Sequence, residues 1–153
     1  MSAPLSEAER RTLAAAMDRI LPPEGGAAGA AGADAAGYAA WAAGRSFFAR
    51  ERRLLDAGLP LLDAMAVGTW GRPFAECAPA ERDAVLERMS KVPHPTARRF
   101  WTALVGMTIT GFLAPPAYGG NRGGAGWAAI GYQPHPLAAG AAEIEEARRC
   151  ETS

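Results

Sequence analysis

Closely spaced prolines mark three points at which a helix of this chain is expected to end. The breaks lie at Pro22-Pro23, Pro93-His94-Pro95 and Pro115-Pro116. Proline lacks a backbone N–H and has a fixed φ, so a helix rarely continues through such a site. Between the breaks, apolar residues recur three and four positions apart, and no strand-like alternation extends beyond a few residues. The sequence therefore predicts an all-α fold, a small bundle of about five helices.

Local signals place the individual helices. In "LSEAERRTLAAAMDRILPP", Ser6 is a good N-cap and Glu9 stands where a capping box needs it. A second helix is expected to start near Asp34 and to be anchored on one face by its aromatic residues. A third begins around Phe47 and Phe48, which are both expected to face inward. "APAERDAVLERMSK" predicts a fourth helix, and "TARRFWTALVGMTITGFL" predicts a buried central one.

The 153 residues are expected to form a single domain. Its helical scaffold covers residues 5–114, and a long, irregular, glycine-rich C-terminal tail follows over residues 115–136. Residues 137–150 have the composition of a terminal helix of low stability. The low-complexity stretch "EGGAAGAAGADAAG" predicts a surface loop after the first helix.

Charge and hydropathy exclude two classes of function. Acidic and basic residues balance at 16 each, so the chain lacks the basic excess of a nucleic-acid-binding protein. The longest apolar run, Phe100–Ala114, would span only about 22 Å as a helix, whereas a bilayer core is about 30 Å thick. No membrane span is expected. No signal sequence follows Met1, since Arg10-Arg11 lies in a charged helix with no apolar stretch behind it.

No set of residues predicts catalysis, cofactor binding or a metal site in this chain. Both histidines, His94 and His135, lie between prolines and lack neighbouring ligands. "GGNRGGAG" lacks the spacing and the preceding strand of a phosphate loop. Cys77 and Cys150 are not close in sequence; a buried thiol with a free terminal one, a bridge between them, and a bridge to another chain all stay open.

The segment "YGGNRGGAGWAAIGY", Tyr118–Tyr132, combines many glycines with large side chains. Ordering a residue costs about 1.5 kcal/mol, and glycines cost more. Burying each of its four large apolar side chains returns only about 2–3 kcal/mol. The segment therefore needs backbone hydrogen bonds and a broad surface that already exists. That surface belongs either to the chain's own helices or to a partner protein, and the residues do not decide between them.

Four stretches together resemble the gluconate 2-dehydrogenase subunit 3 family over Leu5–Pro134. They are "LSEAERRTLAAAMDRILP", "GLPLLDAMA", "APAERDAVLERM" and "GFLAPPAYGGNRGGAGWAAIGY". The most specific part is the last one. The resemblance implies a small, non-catalytic subunit that stabilises a large flavoprotein or assists its maturation or export. The alternative is a transient helical chaperone that leaves the finished complex.

What the resemblance implies about partners extends beyond this chain. The large subunit would be similar to the glucose–methanol–choline oxidoreductases, would bind FAD and would oxidise a sugar, glycoside or polyol. A c-type cytochrome often joins such complexes, so haem c or an iron–sulfur group in the complex stays open. A periplasmic location with the partner is implied, and a cytoplasmic one stays open because a signal sequence is not seen.

The tail supplies the predicted partner-binding residues. Trp, Tyr and Arg side chains often contribute most of the binding energy of a protein interface. An arginine can also make bidentate contact with a carboxylate. The residues are Tyr118, Gly119, Gly120, Asn121, Arg122, Gly126, Trp127, Ile130 and Tyr132.

Overall fold

A computed structural model describes residues 4–134 of the protein, and over these residues the fold is all-α, as predicted. No strand forms in this range; the only β-type pairing within it is a single bridge between Glu24 and Ala27. The predicted terminal helix at 137–150, His135 and Cys150 lie outside the described residues. The helices are α1 (Glu7–Ile20), α2 (Ala35–Ala43), α3 (Ala49–Trp70), α4 (Pro79–Ser90), α5 (Pro95–Leu113) and α6 (Ala125–Ala129).

The first helix begins where the sequence predicts. The Ser6 hydroxyl accepts a hydrogen bond from the Glu9 amide at 3.2 Å, and the Ser6 amide donates to the Glu9 carboxylate at 2.7 Å. These bonds satisfy two donors that the end of a helix otherwise leaves unpaired. Hydrogen bonding of the Glu9 carboxylate to the side chain and the backbone of Ser6 lowers the pKa of Glu9. Near its other end, α1 joins α4 through Arg19 and Asp83, 2.7 Å apart. The hydrogen bond from Arg19 lowers the pKa of Asp83.

The core lies between α3 and α5, with α1, α2 and α4 packed around them. At the centre, the Phe100 ring of α5 lies directly over Gly58 of α3. A β-carbon at Gly58 would stand 2.1 Å from the ring, so only glycine allows the helices to pack at this distance. The largest fully buried side chains include Leu13, Met17, Leu55, Leu59, Leu62, Phe74, Met89, Phe100 and Leu104.

Asp63 of α3 connects three elements. Its carboxylate accepts hydrogen bonds from the Thr12 hydroxyl of α1 at 3.2 Å and from the Phe74 amide at 3.0 Å. Phe74 begins a single 3-10 turn that carries its fully buried ring into the core. Because both donors are otherwise enclosed, the carboxylate supplies their hydrogen-bonding partner where water has little access.

The glycine-rich loop after α1 is folded into tight turns. The Ala30 amide donates to the Leu21 carbonyl at 2.7 Å, and Glu24 and Ala27 exchange backbone hydrogen bonds. The outer part of the loop is exposed, as predicted, whereas Ala30 and Ala33 are buried. The loop thereby brings its last residues, up to Asp34, against the start of α2 and the C-terminal tail.

One predicted orientation is wrong. Phe47 was expected to face inward together with Phe48, but 88% of Phe47 is exposed and Phe48 is half-buried. The two residues form a 3-10 turn with Ser46 before α3 starts, and adjacent side chains of such a turn point in different directions. No helix within residues 4–134 combines the length and the apolarity needed to cross a membrane.

The Gly58–Phe100 contact can be tested against a second glycine of the same helix. Gly58→Ala is expected to destabilise the protein by about 2–3 kcal/mol, because the added methyl group overpacks the α3–α5 contact. Gly68→Ala should instead stabilise it by up to about 1 kcal/mol through helix propensity, since a β-carbon there meets nothing within 4 Å. Urea unfolding of both variants measures the difference, and an equal effect would contradict the close contact.

Candidate partner interface

The tail is ordered by the chain's own helices over most of its described length. The Asn121 amide donates to the Gly111 carbonyl of α5 at 2.8 Å, and the Arg122 amide donates to the Ala33 carbonyl at 2.9 Å. The Trp127 indole N–H donates to the Leu113 carbonyl, the last residue of α5, at 2.7 Å. The bundle therefore supplies the backbone hydrogen bonds that the segment needs.

Two glycines of the tail are required by close approach to α5. A β-carbon on Gly120 would lie 2.3 Å from the Gly111 carbonyl oxygen, and one on Gly126 would lie 1.8 Å from that of Phe112. Both distances are far below van der Waals contact. These glycines bring the main chain of the tail against the main chain of the helix.

Asn121 holds the tail through hydrogen bonds to α5 and within the tail itself. It is fully buried, has a left-handed conformation with φ of 45°, and accepts a hydrogen bond from the Gly126 amide on Oδ1 at 2.8 Å. Asparagine tolerates this conformation better than most residues. Its Nδ2 group finds no hydrogen-bond partner among the described residues. The side chain thus closes the loop that leads into α6.

Arg122 pairs within the chain. Its Nη2 lies 2.5 Å from Oδ2 of Asp34, the residue that precedes α2. The Arg122 side chain is nevertheless 72% exposed, so water screens the pair and its contribution to stability is small. The ion pair joins the loop after α1 to the tail. It lies at the surface, whereas the neighbouring Asn121 is buried.

The predicted site residues fall into two groups. Gly120, Asn121 and Gly126 are buried in the chain itself and position the segment. The others reach the surface: Trp127 is half-buried, and the exposed residues are Tyr118, Gly119, Arg122, Ile130 and Tyr132.

The exposed Tyr118 belongs to a row of rings that we call the aromatic surface, formed by Trp41, Phe47, Phe48 and Tyr118. The ring centroids are 5.1 Å apart from Phe47 to Phe48, 6.1 Å from Phe48 to Trp41 and 5.0 Å from Trp41 to Tyr118. The guanidinium of Arg45 lies 3.8 Å above the Trp41 ring, a favourable cation–π contact. The end of α2, the turn that follows it and the distant tail therefore meet in one row.

Sequence reasoning missed the contributions of Trp41, Arg45 and Phe47 to this surface. One signal was present: adjacent residues of a helix point about 100° apart, so Phe47 and Phe48 could hardly both face one core. Beneath the row lies Tyr38, whose pKa is raised mainly by burial and further by the charge of Glu51. Tyr38 is thus a neutral, buried support for Trp41, with the ring centroids 5.8 Å apart.

A second exposed apolar region lies at the end of the described tail. Trp127 and Tyr132 meet edge to face at 5.6 Å, and the Tyr132 amide donates to the Trp127 carbonyl at 2.8 Å. Ile130 beside them is 60% exposed. Together with Pro116 and Pro134, this ring pair lines a concavity of about 520 Å³.

A comparison with known protein families decides where this arrangement belongs. The family model described as Gluconate 2-dehydrogenase subunit 3 matches residues 7–134, which include the six helices that the structure describes and both exposed apolar regions. The chain belongs to the gluconate 2-dehydrogenase subunit 3 family. The match confirms the resemblance seen in the sequence and identifies the chain as a dehydrogenase subunit. No curated protein and no solved structure matches it.

The histidine and the cysteine within the described range of this subunit 3 chain make local contacts. His94 accepts a hydrogen bond from the Thr96 amide on Nδ1 and caps α5. Cys77 is a buried free thiol, and Cys150 lies beyond the described range. Within residues 4–134, no three His, Cys, Asp or Glu side chains are grouped as metal ligands.

Substitutions at Asn121 test how the tail of this subunit is held. Asn121→Ala removes the acceptor of the buried Gly126 amide, at a cost of about 1–3 kcal/mol, and leaves a β-carbon at positive φ. Asn121→Gly removes the same acceptor but relieves the backbone, so it should destabilise by about 1 kcal/mol less. Urea unfolding followed by Trp fluorescence measures both. Two variants as stable as the wild type would contradict the role assigned to Asn121.

Proposed function

We propose that this chain is the non-catalytic small subunit of an FAD-dependent sugar, glycoside or polyol dehydrogenase complex. The family description names a subunit of a dehydrogenase, and a subunit requires at least one partner chain. In this proposal the partner is the large, FAD-binding subunit similar to the glucose–methanol–choline oxidoreductases, and it performs the oxidation. The small subunit stabilises that flavoprotein or assists its maturation.

The observation that carries the proposal is the aromatic surface. Phe47 and Tyr118 are 88% and 45% exposed, and they flank the partly buried Phe48 and Trp41. Contiguous apolar patches on a soluble protein commonly mark binding sites, and aromatic residues with arginine are enriched where binding energy concentrates. Arg45 above Trp41 completes this composition.

The order of the tail favours a site that is formed before binding. Trp127 and Tyr118 are already held by contacts with α5 and Trp41. A partner therefore does not have to supply the free energy that orders this segment, and more of the contact energy is available for association. The sequence left the chain's own helices and a partner as alternatives; in the proposed complex the helices order the segment and the partner covers its exposed rings.

Co-purification tests the proposal directly. The chain is co-expressed with the candidate flavoprotein subunit of the same organism and recovered through a tag on the small chain. A stable complex predicts a yellow eluate in which both chains are present in constant ratio and dehydrogenase activity co-elutes. A colourless eluate without the flavoprotein contradicts it. If the flavoprotein needs co-expression to load FAD but then purifies alone, the transient chaperone is favoured.

Alanine substitutions locate the interface. Phe47→Ala and Tyr118→Ala are each expected to weaken the complex by about 2 kcal/mol, roughly thirtyfold in Kd. The lone chain should keep its helical circular dichroism because both side chains project from the surface. Val67→Ala is the matched control, since Val67 is 49% exposed on α3 but is not part of the aromatic surface. Biolayer interferometry measures the affinities, and equal losses for all three variants would contradict this placement.

A further inference from the structure

A groove follows the contact between α3 and α5 on the surface of the protein. On α3 its wall is formed by positions 50, 54, 57 and 61, which lie on one face because they are spaced by three or four residues. On α5 the facing positions include 96, 99 and 103. We call this the α3–α5 groove. It continues past Ala103 and Gly106 to Phe48, a member of the aromatic surface.

The groove has an apolar end and a basic middle. The apolar end, about 470 Å³, is lined by Leu61, Val92 and Phe100. The basic middle, about 280 Å³, is lined by Arg50, Arg98 and Arg99, with Glu51 as its acidic residue. Three guanidinium groups thus face one carboxylate in a chain whose net charge is zero.

Most other arginines within residues 4–134 have a side-chain hydrogen bond or an ion pair, whereas these three have neither. Arg19, Arg72 and Arg122 each have a carboxylate partner. In the part of the chain that the structure describes, the guanidinium groups of the groove arginines have neither an ion pair nor a hydrogen bond. The positive charge of the groove is therefore left uncompensated within residues 4–134.

The position of Arg98 and Arg99 is also unfavourable for the helix that carries them. Both lie within five residues of the start of α5, whose first turn has no acidic residue. The N-terminus of a helix carries a partial positive charge and favours anions. Cations without a partner at this place do not improve the stability of the isolated chain, which favours a role in binding.

We propose that the α3–α5 groove docks an acidic segment of the flavoprotein subunit, with carboxylates at the groove arginines and one large apolar side chain at Leu61 and Phe100. This inference rests on the proposed function and adds a second contact to the aromatic surface. Charge complementarity selects the acidic class, and the continuity of the groove with Phe48 places both contacts on one partner. The apolar end and the zero net charge favour a protein segment over a nucleic acid.

The first test reverses one charge in the basic middle. Arg99→Glu is expected to raise the Kd for the flavoprotein about tenfold at low salt and to flatten its dependence on salt concentration. Arg99→Lys, which keeps the charge, should retain most of that salt dependence. Arg11→Glu is the control, because Arg11 is an exposed arginine of α1 without a side-chain partner in the described range. The melting temperature of Arg99→Glu should be unchanged or slightly higher, since glutamate suits the start of a helix.

The second test addresses the apolar end. Leu61→Gln is expected to raise the Kd about fivefold to tenfold at every salt concentration, because it replaces a hydrophobic contact. Val67→Gln, on another face of the same helix, should leave the Kd unchanged. Binding is measured with the full chain and the purified flavoprotein, and circular dichroism of each variant verifies its fold.

The outcomes separate this inference from the proposed function. If the wild-type chain does not bind the flavoprotein at any salt concentration, the proposed function fails and the named occupant fails with it. If the wild type binds but Arg99→Glu and Leu61→Gln bind equally well, only the groove proposal is overturned. If Arg99→Glu instead converts a dimer of the lone chain to a monomer, with no change in flavoprotein binding, the occupant is a second copy and the proposal is wrong.

Discussion

The contact between the backbone of the tail and the backbone of α5 is the constraint on which the surface of this protein depends. The hydrogen bond from the Asn121 amide to the Gly111 carbonyl requires the two main chains to touch, and Gly120 and Gly126 permit it. Because this contact holds the tail, Tyr118 lies beside Trp41 and Trp127 reaches the end of α5. Without it, Tyr118 would not be held in the aromatic surface, and the ring pair of Trp127 and Tyr132 would not be held beside α5.

The same principle of close approach applies inside the bundle. Gly58 admits the Phe100 ring between α3 and α5, and the many alanines of α2 keep that helix thin. Small residues bring helices together, while a few large rings fill the space that remains. In an alanine-rich core of this kind, the helix axes lie close together, and only a few side chains are bulky. Other aromatic residues, such as Phe47 and Tyr118, lie at the surface instead of in this core.

Much of the fold followed from the sequence because its signals are local. Ser6 and Glu9 mark the start of α1, and paired prolines end α1 and α5. The family followed from the tail motif. The inward direction of Phe47 was wrong, because adjacent residues of the 3-10 turn before α3 point in different directions and Phe48 takes the inner one. The contact between Trp41 and Tyr118 could not be predicted from the sequence, since it depends on how two helices and a loop pack. The free-energy cost of ordering the tail showed that the tail needs a surface to pack on. It did not show whether that surface belongs to the same chain or to a partner.

The Asp34–Arg122 ion pair joins residues 88 positions apart, and the Trp41–Tyr118 ring contact spans a similar separation. A chain made from its N-terminus to its C-terminus can form α1 to α4 long before the tail has left the ribosome. The row of rings becomes complete only after nearly all of the described residues have been synthesised. The aromatic surface is consequently a late product of translation, and a ligand that recognises it would distinguish a finished chain from a nascent or truncated one.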